Sequence, residues 1–212
     1  MANPVVVLAG PGVIPHAGAF RRWAEEANLP VANTWSVKGL FRWDSPNHMG
    51  TVGLQERDFE LAGFSEADRI IAVGVDENET PRARWALSTV TEADPTDLPV
   101  LAPQPPIEPN RLYGELAAVI QPLYTSQKTP PSPAQVLYDL GGDRRTGQVI
   151  AARPGPTGFW LGRAFPTTEL GSVVITDTPP PGATVIDWGP DDVDWTDTDR
   201  LIEVAGPIVA WT

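Results

Sequence analysis

The chain begins with a short apolar run that passes through a glycine-proline-glycine turn into a helical pattern. Residues 4–13 read PVVVLAGPGV, and IPHAGAFRRWAEEANL follows directly. Residues 5–9 are apolar without alternation, which is typical of a parallel strand covered on both faces. A buried strand that leads so abruptly into a helix favours an α/β fold.

The residues after the turn predict an amphipathic helix. One face carries two arginines and two glutamates, and Pro15 suits the first turn, where a missing amide hydrogen costs little. The opposite, apolar stripe is formed by Ala17, Phe20, Trp23, Ala24 and Ala27. This stripe is expected to pack against the sheet.

Further apolar runs extend the same alternation of strands and helices. Residues 30–34 and 70–73 predict strands, and so does the LPVLA segment at residues 98–102. A helix is expected before residue 70 and another over residues 111–124. Residues 37–53 are rich in glycine and polar residues, and they predict a long loop.

The composition changes at residues 126–133, SQKTPPSP, which predict a proline-rich linker. Beyond it, SPAQVLYDL is helical in spacing, and five short apolar runs predict strands: QVIAA, SVVITD, ATVIDW, LIEVAG and PIVAW. We therefore predict an α/β, Rossmann-like domain over residues 1–125, with a parallel sheet and helices on both faces. A smaller strand-rich part is expected over residues 134–212.

The amino-acid composition excludes several classes of functional site and partner. The chain has no cysteine, which excludes thiolate metal sites and cysteine nucleophiles. Its net charge of −12 disfavours nucleic acid and anionic membranes as partners. No run reaches the roughly 18 apolar residues of a membrane helix, and MANPVVV lacks the basic start of a signal peptide. We expect a cytoplasmic protein with no nucleic-acid or membrane partner.

The opening turn is a candidate phosphate site. A parallel strand that ends in glycines at a helix start presents amide hydrogens and the positive end of the helix dipole. Gly10 and Gly12 hold the first and third places of the dinucleotide fingerprint, but the sixth is Pro15. The alternative is that the two glycines only form a tight turn. Lys38 could add charge at the same edge or be a solvated surface residue.

No catalytic residue or metal ligand is predicted. The acidic run DDVDWTDTD at residues 191–199 lacks the glycine and the final glutamate of a calcium loop, which indicates a solvated loop. The two histidines, His16 and His48, do not adjoin a nucleophile motif.

Three stretches in this order, PVVVLAGPGV, HAGAFRRWAEEANLPVANTWSVKGLFRWDSPNHMGTVG and EADRIIAVG, resemble a known domain. It is the central domain of thiamine-diphosphate-dependent enzymes of the acetolactate synthase and oxalyl-CoA decarboxylase type. The resemblance covers residues 1 to about 125. Residues 132–140 and 158–177 are similar to a degenerate start of the family's C-terminal domain.

In that family the central domain carries FAD or ADP, or it has no ligand. The resemblance implies a nucleotide-type ligand, of the FAD, ADP or CoA type, although the arginine that many members place after the third strand has no counterpart here. The implied ligand-binding positions are Gly10, Pro11, Gly12, His16, Lys38, Gly39, His48, Gly50 and Gly53.

The sequence also departs from the family at the thiamine diphosphate site. It has no Gly-Asp-Gly motif, and the GGD at residues 141–143 has the wrong order. We recognise no counterpart of the N-terminal domain whose glutamate activates the cofactor. We expect neither thiamine diphosphate nor magnesium on this chain alone.

Three hypotheses follow. The first is a non-catalytic relative that binds a nucleotide-type ligand, a protein partner or both. The second is a subunit of a split thiamine-diphosphate-dependent lyase or synthase with its catalytic domains on other chains, and the third is a ligand-free assembly module. Family members form dimers or tetramers, so we expect a homo-oligomer or a partner chain that carries thiamine-diphosphate-binding domains. The eight tryptophans fit an interface or an ordinary core.

Overall fold

A computed structural model of the protein describes residues 3–108, 112, 133–143, 147–187 and 210–211. Within these residues the chain forms two sheets. Strands of the first sheet are β1 (Val5–Ala9), β2 (Val31–Asn33), β3 (His48–Thr51), β4 (Arg69–Val73) and β5 (Thr89–Ala93). Its helices are α1 (Ala17–Glu26), α2 (Asp58–Leu61) and α3 (Arg82–Trp85).

The first sheet is entirely parallel, with the strand order β3-β2-β1-β4-β5. The connections change direction between β1 and β4, which is the arrangement of a Rossmann-like sheet. The predicted α/β fold class is confirmed.

Residues of β1 alternate between two apolar cores. Val5, Val7 and Ala9 pack on the side of α1, against Phe20 and Ala24. Val6 and Leu8 pack on the opposite side, in the cluster that contains Phe59 of α2 and Trp85 of α3. Helices therefore cover both faces of the sheet, which is why β1 has no polar face in its sequence.

Two predictions about this sheet are wrong. Residues 37–53 are not only a loop, because they contain β3, whose sequence HMGT has no apolar run and which gains its order from parallel pairing with β2. The segment LPVLA forms no strand either. The fifth strand is β5, with the sequence TVTEA, at the edge of the sheet, where partial exposure permits a polar sequence.

The second sheet has the order β7-β6-β8-β9. Its first three strands are parallel and β9 runs antiparallel to β8. The elements of this part are α4 (Pro133–Asp143), β6 (Ile150–Ala152), α5 (Pro156–Ala164), β7 (Val173–Ile175), β8 (Thr184–Asp187) and β9 (Ala210–Trp211). The predicted helix in SPAQVLYDL and the strands in QVIAA, SVVITD, ATVIDW and PIVAW are confirmed.

Several predicted segments lie outside the described residues. They are most of the helix over 111–124, residues 126–132 of the linker, the acidic run at 191–199 and the strand in LIEVAG. The predicted domain boundaries stay a prediction. Leu112 is described as helical, and it is 1% exposed in the core below α2 and α3.

One buried ion pair ties α5 to the first sheet. An Nη of Arg163 donates to Oδ1 of Asp58 at 2.6 Å, and the two side chains are 2% and 1% exposed. The other Nη donates to the backbone oxygen of Thr51, and Oδ2 of Asp58 accepts the amide hydrogens of Leu54 and Gln55. Four hydrogen bonds thus compensate for the loss of water around this pair.

The same region contacts a third apolar core, which lies in the C-terminal part and includes residues of α5 and β6. Leu54, in the loop after β3, is fully buried in this core. Trp35, which follows β2, is partly buried against that cluster. The loops after β2 and β3 are therefore packed against the C-terminal part.

We expect Asp58→Asn to lower the free energy of unfolding by about 3–5 kcal/mol, because Arg163 would stay buried without its counter-charge. Urea unfolding followed by tryptophan fluorescence measures this loss. The matched control is Glu60→Gln, which removes an exposed pair with Arg57 on the same helix and should cost less than about 1 kcal/mol. Equal losses in the two variants would contradict a structural role of the buried pair.

Candidate functional site

The carboxyl ends of β1 to β4 meet at one edge of the first sheet. The residues that follow these strands are Gly10, Thr34, Val52 and Gly74. In open α/β sheets, ligands bind beyond this edge. Most of the ligand-binding residues predicted from the sequence lie in the loops and short helices that leave it.

The amide hydrogens of the opening turn are used within the chain. Gly10 donates to the oxygen of Val73 at 3.0 Å, and Gly12 donates to the oxygen of Gly74 at 2.9 Å. The amide of Val13 turns back to the oxygen of Gly10, and Pro11 has no amide hydrogen. A phosphate at this turn would have to displace hydrogen bonds that hold β1 to β4.

The two glycines are required by a close approach of backbones. A Cβ built on Gly12 would lie 2.7 Å from the Cα of Gly74, and one on Gly10 would overlap the backbone of Gly74 and Val75. Gly74 itself has a φ of 60°. This contact accounts for the glycine-rich turn without a ligand, which supports the tight-turn interpretation.

His16 lies at the end of the short 3-10 helix Pro11–His16 that leads into α1. Hydrogen bonds from Thr96 are the main cause of the lowered pKa of Asp94, and the side chain of His16 is close enough to add a small contribution. His16 is therefore near the loop that follows β5, whereas the other predicted ligand residues after β2 and β3 lie on the opposite side of β1.

The remaining predicted glycines have backbone angles or neighbours that select glycine. Gly39, Gly50 and Gly53 have φ values of 89°, 109° and 87°. A Cβ on Gly39 would overlap the backbone of Glu169 and the side chain of Thr167, both in the C-terminal part. The loop after β2 therefore fits against that part of the chain, which explains the glycine at this position without a ligand.

Lys38 is buried, and the partly buried His48, at the start of β3, lies close enough to be influenced by it. Burial, and to a smaller extent Arg163, lowers the pKa of Lys38 to about 7, and the residue is 6% exposed. Burial, and to a smaller extent Lys38, lowers the pKa of His48 to about 3. His48 is therefore neutral at pH 7, and Lys38 is divided between its two protonation states.

Sequence reasoning did not find a second group of polar side chains at the same edge. It comprises Thr34 and Ser36 after β2, and Glu79 and Thr80 after β4. Within the described residues, Oγ1 of Thr34 and Thr80, Oγ of Ser36 and Oε2 of Glu79 are buried and make no hydrogen bond of normal length, although Thr34 and Ser36 lie close enough to Glu79 to interact with its carboxylate. We call these four residues the hydroxyl cluster.

Glu79 connects the two halves of the hydroxyl cluster. Burial raises the pKa of Glu79, while weak hydrogen bonds from the hydroxyls of Ser36 and Thr34 oppose this rise by a smaller amount, so these groups are close neighbours. Thr80 lies near Gly53, because a Cβ on that glycine would be 3.6 Å from the Cβ of Thr80. The cluster therefore extends from the end of β2 to the end of β3.

The segment after β4 crosses the edge of the sheet. Glu79 reaches the loop after β2, and Arg84 of α3 donates to the oxygens of Gly53 at 3.1 Å and Gln55 at 2.7 Å. Because β1 and β2 lie between β4 and β3, residues 74–84 pass over the carboxyl ends of both strands. No sequence motif marks these residues, since their positions depend on strand order.

Comparison with known proteins supports the family resemblance for the first sheet. Residues 1–97 match the family model described as thiamine pyrophosphate enzyme, central domain. No curated protein matches the chain significantly. The model includes all five strands of the first sheet and none of the second. The acetolactate synthase or oxalyl-CoA decarboxylase type, and the degenerate start of a C-terminal domain, remain narrower proposals.

Among the described residues, no arrangement fits the magnesium of thiamine diphosphate. The described residues contain no group of three acidic or histidine side chains that could hold a metal ion. The GGD at residues 141–143 lies at the end of α4, whereas in the family a Gly-Asp-Gly belongs to the diphosphate site. We therefore derive no chemistry through this cofactor.

We expect Gly10→Ala to lower the free energy of unfolding by about 3 kcal/mol, the upper end for overpacking, because the added methyl group meets backbone. Gly18→Ala is the matched control. Its added methyl group has space in an exposed turn of α1, and it should gain up to about 1 kcal/mol in helix propensity. Chemical denaturation of both variants without ligand measures these changes. A Gly10→Ala variant with an unchanged free energy of unfolding would contradict the close backbone contact at Gly10.

Lys38→Met should stabilise the protein most at low pH. The pKa of Lys38 is lowered on folding, so the unfolded chain binds more protons between pH 7 and 10.5, and wild-type stability rises across that window. Below pH 7 Lys38 is charged in the folded state as well, and its burial destabilises the folded protein by the largest amount. The advantage of Lys38→Met should therefore be greatest below pH 7 and disappear toward pH 10.5.

Denaturation midpoints of wild type and variant at several pH values measure this difference. Arg42→Met is the control, because its exposed side chain pairs with Asp44 on the same loop and should give no such trend. A pH-independent difference between Lys38→Met and wild type would contradict the buried, unfavourable amine.

Proposed function

We propose that this thiamine pyrophosphate enzyme central domain binds a nucleotide-type ligand at the carboxyl edge of its first sheet, and that the chain is not catalytic on its own. The ligand would contact the hydroxyl cluster between the ends of β2, β3 and β4. FAD, ADP and CoA-type ligands are the candidates, because the family resemblance implies a nucleotide in this domain.

The observation that carries this proposal is the set of unused polar atoms in the hydroxyl cluster. A buried hydroxyl without a partner costs about 1–3 kcal/mol, and the hydroxyl of Thr80 has none among the described residues, while Thr34 and Ser36 interact only weakly with Glu79, so a ligand that satisfies these groups would be favoured. They also lie where ligands bind in open α/β sheets, beyond the carboxyl ends of the strands.

The chemistry of the cluster suits the ribose part of a nucleotide. Hydroxyl side chains both donate and accept hydrogen bonds, as sugar hydroxyls do. The carboxyl group of Glu79 can accept from a sugar hydroxyl when ionised, and its raised pKa also allows it to donate when protonated. Because the opening turn uses its own amides, the phosphates would bind on the β2 and β3 side of β1.

The family resemblance also supports assembly. We propose that the protein forms a homo-oligomer or associates with a chain that carries thiamine-diphosphate-binding domains, the latter being the split-enzyme alternative. Size-exclusion chromatography with light scattering measures the mass of the purified protein. A monomer under all conditions would reject the homo-oligomer.

We expect ADP, FAD or CoA to raise the melting temperature of the protein. A ligand at 100 times its dissociation constant adds about 2.7 kcal/mol to the free energy of unfolding. Thr80→Val should abolish the shift while leaving the unliganded protein at least as stable, because it removes a buried hydroxyl that makes no hydrogen bond in the described part of the chain.

Glu77→Gln is the matched control, since this exposed neighbour of the cluster is not expected to contact the ligand. Absence of a shift with all three nucleotides would reject the proposed function. A shift that Thr80→Val leaves intact would place the ligand elsewhere.

A further inference from the structure

Three loops of the first sheet converge at Gly53. A Cβ built on this glycine would lie 3.7 Å from Oγ1 of Thr80 and 3.7 Å from Cζ3 of Trp35. Trp35 follows β2, Gly53 follows β3 and Thr80 follows β4. All three therefore lie at the carboxyl edge of the sheet, where ligands bind in open α/β folds.

Gly53 leaves open a space of the size of one small group. A Cβ there would be 3.6 Å or more from its nearest neighbours, which is ordinary van der Waals contact, whereas a Cβ on Gly10 or Gly39 would overlap backbone. A ligand hydroxyl fits the same space, and it would need to lie about 1 Å nearer to Oγ1 of Thr80 to form a hydrogen bond. The space is too small for a ring.

Thr80 supplies an unused hydrogen-bonding group on one side of this space. Its side chain is completely buried, and Oγ1 makes no hydrogen bond to any described residue. Hydroxyl groups can donate to and accept from one another, so a sugar hydroxyl would satisfy Thr80.

Trp35 supplies an aromatic surface on the other side. Its side chain packs against the apolar core of the C-terminal part, yet the residue is only partly buried. Cζ3 belongs to the six-membered ring of the indole, so this ring borders the space at Gly53. Planar heterocycles stack on such rings, and every nucleic-acid base has a suitable face.

Hydrogen bonds hold Gly53 in place between these two side chains. Arg84 donates to the backbone oxygens of Gly53 at 3.1 Å and Gln55 at 2.7 Å. The amide of Val52 donates to the backbone oxygen of Asn33 at 2.8 Å. A loop that is fixed in this way needs little further ordering when a ligand binds.

We propose that Trp35 and Thr80 form a subsite for a nucleoside, with a sugar hydroxyl in the space at Gly53 and the base against the ring of Trp35. This inference rests on the proposed function and narrows it, because adenosine is the part that FAD, ADP and CoA share. Trp35 then distinguishes a nucleotide from a sugar phosphate, and Gly53 gives the sugar its room.

The first test uses AMP and ribose 5-phosphate, which differ only by the base, with ADP as the reference nucleotide. Isothermal titration calorimetry on the full chain measures the affinities at constant ionic strength. Wild type should bind ADP and AMP, and it should bind ribose 5-phosphate at least about tenfold more weakly because the stacked base is missing. Trp35→Leu should weaken AMP binding by about tenfold or more, whereas Trp35→Phe, which keeps an aromatic ring, should retain most of the affinity.

The second test fills the space at Gly53. Gly53→Ala and its matched control Gly63→Ala impose the same backbone strain, since the two φ values are 87° and 85°. The added methyl group of Gly63→Ala would be 4.0 Å from its nearest neighbour, a side-chain oxygen of Glu66 outside the site. The two variants should lose similar amounts of thermal stability, but only Gly53→Ala should bind AMP at least about tenfold more weakly than wild type.

The outcomes separate this subsite from the proposed function. Equal AMP affinity in Gly53→Ala and Gly63→Ala, or in Trp35→Leu and wild type, would overturn the subsite and leave nucleotide binding intact. Equal binding of AMP and ribose 5-phosphate by wild type would also overturn it, because the base would then contribute nothing. If wild type binds neither ADP nor AMP and its melting temperature is unchanged by FAD and CoA, both proposals are rejected.

Discussion

The buried pair of Asp58 and Arg163 links the first sheet to α5 and so to the C-terminal part of the described structure. Two charges removed from water are stable only when their remaining hydrogen-bonding groups find partners, and here backbone groups of the loop after β3 supply most of them. The pair therefore fixes the shape of that loop and the position of α5 at once. Burial is the main cause of the low pKa of Lys38, and Arg163, whose position this pair fixes, lowers it further.

The close contact of Gly12 with Gly74 has an equally direct effect on where a ligand can lie. The point between β1 and β4, at which the connections change direction, is the usual place for a nucleotide in such a sheet. Here the two backbones touch there, and the segment after β4 crosses toward β3. The hydroxyl cluster consequently lies on the β2 and β3 side of this edge.

The sequence predicts those helices and strands whose own pattern of apolar residues reflects their burial. The strand from Val5 to Ala9 is apolar because two cores cover it, and the stripe of α1 matches the buried Phe20 and Ala24. Strands β3 and β5 cannot be predicted in this way, because they are defined by pairing with a neighbouring strand and not by an apolar run in their own sequence. A propensity for strand formation is weak evidence at a sheet edge.

The candidate site is less predictable for a related reason. The glycines of the opening turn are visible as a motif, yet the motif alone does not distinguish a phosphate from a neighbouring backbone. Glu79, Thr80 and Arg163 are far apart in sequence from Thr34 and Lys38, and only the strand order and the packing of α5 bring them together. The spacing of these residues along the chain does not predict such contacts.

The position of Leu54 matters for any attempt to shorten the chain. It lies inside the segment that matches the family model, yet its side chain is part of the apolar core formed with α5 and β6. A fragment cut at the end of that match would expose this leucine and Trp35 to water. A cut at residue 97 would therefore uncover apolar surface that the intact chain buries, although the match to the family model ends there.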